Sequence, residues 1–177
     1  MGKRSDFDRV ERDFYPTPEA AVLPLLPFLP ANCPFVEPCA GDGQLVDILE
    51  KHGHECTWAS DIEPQREDIK KLDFNDLDET SYKRSHKIIT NPPWNRKLLH
   101  PMIEKFRESG KGAWLLFDAD WMHTKQSAPY IPYVSKVVSI GRVKWIPDSK
   151  TVGKDNCCWY YFSPLKAYST VFFGRTE

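Results

Sequence analysis

Among the 177 residues, Asn91-Pro92-Pro93-Trp94 has the residue types and order best suited to chemistry. Two successive prolines donate no amide hydrogen and fix φ, so the turn is stiff and its carbonyls are free to accept. Asn91 Oδ1 and the Pro92 carbonyl then form a rigid acceptor pair. A conjugated amino group such as that of adenine is a poor nucleophile, because its lone pair is delocalised. Accepting both its hydrogens favours a pyramidal nitrogen whose lone pair points at a methyl donor, which is catalysis by position and electrostatics with no nucleophilic side chain. Trp94 adds a flat face for a planar amide or base. The bland alternative is that Pro-Pro only ends a strand and Trp94 is core.

Upstream, Glu37-Pro38-Cys39-Ala40-Gly41-Asp42-Gly43 sits where a strand turns into a helix, and Gly41 and Gly43 let backbone approach a ligand. Alone, such a pair fits any tight turn. Asp61, about twenty residues on, closes a second strand where a carboxylate can accept from both hydroxyls of a ribose. Together they imply an adenosine-containing ligand. Asp73-Phe74, expected at the same sheet edge, offers an acceptor for an adenine amino group and a ring to stack on it. Val46 stands where a dinucleotide fingerprint needs its third glycine, and Gly43 is not directly followed by Lys and Ser or Thr. The ligand should therefore carry a nucleoside and no pyrophosphate.

The elements that must position these residues read as an α/β fold with a mainly parallel seven-stranded sheet flanked by helices. Apolar runs place strands at Phe35–Cys39, Cys56–Ile62, Lys87–Thr90, Ala113–Asp118, Val137–Trp145 and Cys157–Phe162, with Asp73–Phe74 closing a very short one. Helices fit Glu19–Leu26, Gly43–His52, Lys97–Glu108 and Trp121–Ala128, with one turn at Asp78–Tyr82. The last two long strands, joined by the polar Asp148–Asp155 loop, form a terminal antiparallel hairpin. Residues 1–13 are charged and aperiodic, the pattern of a mobile arm, and 14–177 read as one domain.

With 24 Lys and Arg against 25 Asp and Glu, no global basic field attracts a polyanion, so any such contact must be local. Asn95-Arg96-Lys97 and the hairpin residues Arg142, Lys144, Lys150 and Lys154 are candidates, with plain solvated charge as the alternative. In the arm, Lys3, Arg4, Arg9 and Arg12 alternate with Asp6, Asp8 and Glu11, and no binding is expected there. The five cysteines form no C-x-x-C pair and the histidines are scattered, so neither disulfides nor a metal is expected. A secretory signal and a run of about 18 apolar residues are both missing, which points to a cytoplasmic protein with no membrane partner. Asp120 is read as the cap of the Trp121 helix. Trp145, Trp159, Tyr160 and Tyr161 are read as mostly core, with one of them able to wall a base pocket.

Taken together, these motifs resemble the amino-methyltransferases of the Rossmann-like S-adenosylmethionine superfamily, especially the small DNA adenine methyltransferases of bacteria and phages without a separate target-recognition domain. The resemblance runs from Phe14 to Trp94 and more loosely beyond. It implies a class I methyltransferase fold, with S-adenosylmethionine as cofactor and S-adenosylhomocysteine as product. By the same likeness, Tyr15 and Thr17 in Phe14-Tyr15-Pro16-Thr17-Pro18 touch the methionine part, and Glu37, Pro38, Cys39, Gly41 and Gly43 form the cofactor loop. Asp61 and Ile62 match the ribose and adenine contacts, and Asp73 and Phe74 the third adenine contact. Asn91, Pro92, Pro93 and Trp94 match the catalytic turn, with Asn91 also beside the cofactor. The implied reaction is N6-adenine methylation of DNA, site-specific or relaxed, with DNA favoured over RNA. The chain departs from those enzymes in having no room for a target-recognition region, so a homodimer or a recognition subunit stays open. Also open are methylation of RNA adenine or of a protein glutamine amide, which share Asn-Pro-Pro-aromatic turns, cytosine amino methylation, and a non-catalytic cofactor-binding regulatory subunit.

Overall fold

The computed structural model describes residues 15–83, 87–146 and 152–175. The expected arm at 1–13, Phe14 and residues 148–151 of the Asp148–Asp155 loop, Lys150 among them, lie outside them. Eight strands form one sheet: β1 (Pro34–Glu37), β2 (Glu55–Asp61), β3 (Lys70–Lys71), β4 (Lys87–Thr90), β5 (Gly112–Asp118), β6 (Val134–Arg142), β7 (Asn156–Phe162) and β8 (Val171–Phe173). Their order is β3-β2-β1-β4-β5-β7-β6-β8. The run from β3 to β5 is parallel, β7 is antiparallel to both β5 and β6, and β8 lies parallel to β6. The sheet reverses its winding between β1 and β4, and in open α/β sheets ligands collect at the carboxyl ends of the strands at such a switch point.

Among the described residues the α-helices are α1 (Glu19–Val22), α2 (Gln44–Lys51), α3 (Glu79–Tyr82) and α4 (Arg96–Glu108). Asn95 caps α4 by accepting from the Lys97 N–H. On one face of the sheet, Ala21, Leu25, Leu45, Leu49, Leu116 and Trp159 pack together. On the other face, Leu99, Ile103, Phe106, Phe117, Trp121 and Tyr160 do so. Leu116 and Phe117, like Trp159 and Tyr160, point to opposite faces, as the period of two in a strand requires.

Several expectations are corrected. The sheet has eight strands rather than seven, because β8 adds an edge. The very short strand is Lys70–Lys71, and Asp73–Phe74 lies just past it, where Asp73 accepts from Asn75 N and caps a 3-10 turn at Phe74–Asp76. The hairpin strand ends at Arg142, leaving Trp145 beyond it. The helix expected at Glu19–Leu26 is α1 followed by a 3-10 helix at Leu23–Phe28, because Pro24 and Pro27 have no N–H to continue an α-helix. In place of a helix at Trp121–Ala128 there are 3-10 turns at Ala119–His123 and Lys125–Ser127. Thr124 is extended between them; the Trp121 and Thr124 carbonyls accept the Thr124 and Ser127 N–H groups three residues on, and the Thr124 and Ser127 hydroxyls add bonds to the Trp121, Met122 and Thr124 carbonyls. Asp118, and not Asp120, caps the first turn, by accepting from Asp120 N.

Candidate active site

A cleft of about 640 Å³ opens at the carboxyl ends of β1, β2 and β4, within the size range of small-ligand sites. Its back wall is the glycine loop. Gly41 lines the cleft and has a positive φ of 53°, and its N–H donates to Asp61 Oδ2 at 2.9 Å. Gly43, at φ 81°, is the N-cap of α2 and does not line the cleft. It faces the Arg66 guanidinium, which bridges Asp47 at 2.8 Å and Asp68 at 2.6 Å. The left-handed turn at Gly43 itself favours glycine, beside the Arg66 guanidinium.

Glu37, Pro38 and Cys39 line the cleft beside this loop. Glu37 is 1% exposed; its Oε1 accepts from Cys39 N at 3.0 Å, while Oε2 is buried with no hydrogen bond. Burial pushes the Glu37 carboxyl up to about 8, and Asp61 adds a small push in the same direction. Thr90 Oγ1, also buried and unbonded in this geometry, offsets part of that rise. Burial likewise drives the Cys39 thiol far above its ordinary range, which makes it a poor nucleophile.

Asp61 is oriented from both sides: Oδ2 takes the Gly41 N–H, and Oδ1 takes the Glu63 N–H at 2.8 Å. Each oxygen keeps a lone pair for a further donor. Ile62, 52% exposed, lines the same wall. Across from it, Asp73 and Phe74 line the cleft, with Asp73 Oδ1 tied to the Asn75 backbone and side-chain N–H groups. An acidic pair and an apolar pair thus face one volume.

Asn91 and Pro93 reach the cleft from the end of β4; Pro92 is buried and Trp94 half-buried, and neither of these lines it. Tyr15 and Thr17 line it too, and both bond to Asn91: Asn91 Nδ2 donates to Thr17 Oγ1 at 3.1 Å and, more weakly, to the Tyr15 carbonyl at 3.5 Å. Trp94 packs edge to face on Trp145, with ring centroids 5.7 Å apart. Trp159 and Tyr160 are fully buried, and Tyr161 packs on Trp114, so among these four aromatics Trp145 is the one found beside the Asn91–Trp94 turn.

Some lining residues escaped the sequence reading. Leu98 and Met102 extend from α4 at a spacing of four; the amphipathic run with its Asn95 cap could have pointed to them. Gln65 is placed by its N–H to the Gly41 carbonyl, 2.9 Å, a loop contact with no sequence signal. Of the candidate basic residues, Lys97, Arg142, Lys144 and Lys154 are exposed, and Arg96 bonds Gln126 at 2.7 Å. Among the described residues, no group of three or more His, Cys, Asp or Glu could hold a metal ion, and no helix is long and apolar enough to cross a membrane.

Neither a family model nor a curated protein matches the chain. Solved structures do resemble it. A Pyrococcus horikoshii protein described as a candidate RNA methyltransferase shares 15% identity at a TM-score of 0.63, over 89% of this chain and 90% of that one. The modification subunit of a candidate type I restriction enzyme from Vibrio vulnificus shares 10% identity at a TM-score of 0.61, over 93% of this chain and 47% of its own. The tRNA (m1A58) methyltransferase TrmI of Aquifex aeolicus shares 18% identity at a TM-score of 0.53, over 92% and 74%. The chain spans about half the length of the restriction-modification subunit it resembles. These likenesses show the fold, which is the Rossmann-like α/β architecture of class I methyltransferases.

Proposed function

We propose that this protein is an S-adenosylmethionine-dependent amino-methyltransferase whose substrate is the exocyclic nitrogen of adenine in DNA. The observation that carries this reading is the seating of Asn91 on the same cleft as the glycine loop, with its amide held by Thr17. The cleft fits the cofactor on its own terms. Asp61 retains lone pairs for two ribose hydroxyls, Asp73 and Phe74 suit an adenine, and the unbonded Glu37 Oε2 suits an ammonium group.

S-adenosylmethionine supplies an electrophilic methyl group and leaves as S-adenosylhomocysteine. The chain's own residues bind and orient. Asn91 Oδ1 and the Pro92 carbonyl accept the two hydrogens of the amino group and stabilise the positive charge that grows on nitrogen as the N–CH₃ bond forms and the S–CH₃ bond breaks. One N–H proton then passes to solvent, which restores a neutral amine. Trp94 and Trp145 flank the turn as faces for an extruded base. This chemistry calls for no metal. The exposed Lys97, Arg142, Lys144 and Lys154 provide the local phosphate contacts. The resemblance to bacterial and phage enzymes fits action in the cytoplasm of a bacterial or phage-infected cell.

The test is incubation with methyl-labelled cofactor and, in parallel, unmethylated DNA, RNA and protein extract, followed by digestion to monomers. N6-methyladenine in the DNA arm, lost in Asn91→Ala, is the expected result. Label in the RNA or glutamine arm reassigns the polymer. Measured cofactor affinity with no methylated amine in any arm refutes the reading in favour of a regulatory subunit.

A further inference from the structure

Asn91 is gripped at both ends of its amide. Nδ2 donates to Thr17 Oγ1 at 3.1 Å, and Oδ1 accepts from Trp94 Nε1 at 3.3 Å. An indole N–H can only donate, so the amide atom facing it must be oxygen, and Trp94 thereby decides which end of the amide is which. Thr17 is 4% exposed, which holds its hydroxyl at the far end. Trp94 is itself braced. Its ring meets Trp145 at 5.7 Å and 83°, and Gly153, tied to the Val143 carbonyl at 2.8 Å, passes so close to Trp145 that an added Cβ would lie 3.2 Å from Trp145 Cδ1.

An amide free to flip would present Nδ2 to the substrate in one of its two orientations, and an amino group cannot donate to a donor. Oδ1 has two lone pairs. With one held by Trp94, the other remains for the substrate. Resting on the amino-methyltransferase reading, we propose that Thr17 and Trp94 are positioning residues that lock the Asn91 amide so that Oδ1, and never Nδ2, meets the amino group to be methylated. Trp94 then has a task specific to its indole N–H, separate from stacking, and Thr17 a task separate from any contact with the cofactor.

Thr17→Val keeps the side-chain shape and removes the acceptor, and Trp94→Phe keeps a ring and removes the donor. Under single turnover at saturating S-adenosylmethionine, each lowers the rate of methyl transfer about three- to tenfold, the scale of one hydrogen bond. KM for the cofactor changes less than about twofold, and Thr17→Ser restores the rate. A Thr17→Val defect confined to KM for the cofactor, or a Trp94→Phe enzyme as fast as wild type, overturns the proposal. A second readout needs no turnover: the Trp94 indole cross-peak in a ¹H–¹⁵N spectrum, identified by its loss in Trp94→Phe, moves in Asn91→Ala. A stationary peak overturns the grip itself, whatever the activity. A moving peak in a protein that methylates no amine overturns the reaction, and with it the task assigned to the grip.

Discussion

Glu37→Gln probes the floor of the cleft. The carboxyl titrates near 4.5 when solvated and is pushed up to about 8 in the fold, chiefly by burial. Between those values the folded chain holds a proton that the unfolded chain has released, so stability falls as pH rises through this window, and the full cost is reached above it. The gap corresponds to at most roughly 5 kcal/mol, since one pH unit is about 1.4 kcal/mol. Glutamine avoids the cost: its oxygen can take the Cys39 N–H and its NH₂ can reach the buried Thr90 hydroxyl. In urea titrations from about pH 5 to about pH 9, wild type should weaken by a few kcal/mol relative to Glu37→Gln, whose stability stays nearly level. Cofactor binding reverses the balance, because an ammonium beside Oε2 favours the carboxylate. Below about pH 8, binding should release close to one proton and tighten by up to about tenfold per pH unit. Calorimetry in two buffers of different ionisation heat counts that proton. Glu37→Gln should release none and bind about 10- to 100-fold more weakly, the loss of a charge-assisted hydrogen bond. Buffer-independent heats together with unchanged affinity in Glu37→Gln would refute the placement of the ammonium at Glu37.

Asp61→Asn would turn an NH₂ toward the N–H of Gly41 or Glu63, so cofactor affinity should fall about 10- to 100-fold in a fluorescence titration. Trp159→Phe strips the buried Ala21 carbonyl of a 2.7 Å hydrogen bond and should cost about 2–4 kcal/mol in chemical denaturation. Gly112→Ala puts a methyl onto the Tyr161 hydroxyl, which the Lys87 ammonium contacts at 2.6 Å; about 1–3 kcal/mol should be lost, read as a lower melting temperature. His100 Nε2 accepts from Trp121 Nε1 at 3.0 Å, and burial lowers the His100 pKa below 6.5. The unfolded chain therefore takes up the proton first, and stability should drop as pH falls below about 6.5, a slope that His100→Asn flattens in urea titrations.

The parallel half of the fold was legible because β1, β4 and β5 are almost wholly buried and carry short apolar runs, Phe35-Val36, Ile88-Ile89 and Ala113–Phe117. The two strands that escaped are edges: β3 is a pair of exposed lysines, and β8 is three residues with Phe172 60% exposed, so neither bears a core pattern. The Trp121–Ala128 stretch looked helical by its apolar residues, but its carbonyls take N–H groups three residues on, and the hydroxyls of Thr124 and Ser127 reinforce those 3-10 turns. At the site, residues that act through their own position in the chain, such as Gly41, Asp61 and Asn91, were visible as motifs and do line the cleft. Trp94 was expected as a stacking face, and its bond to Asn91 depends on a rotamer and on Trp145, more than fifty positions along the chain, which no local pattern encodes.

Among the described residues, two pairs, Phe35 with Lys87 and Val36 with Ile88, hold β1 beside β4 in register. That short seam sets how far Glu37 and the glycine loop stand from Asn91, in height along the strands and in the face each presents. A single inserted residue in β4 would raise Asn91 by roughly 3.3 Å and swap every following side chain to the other face. The seam should therefore accept changes of side chain while rejecting changes of length. In a library of one-residue insertions and deletions across Lys87–Thr90, function should vanish even where the protein still folds, whereas insertions in the turn between α4 and β5, at Ser109–Lys111, should pass. In descent, such a site can drift by exchanging letters while keeping its spacing.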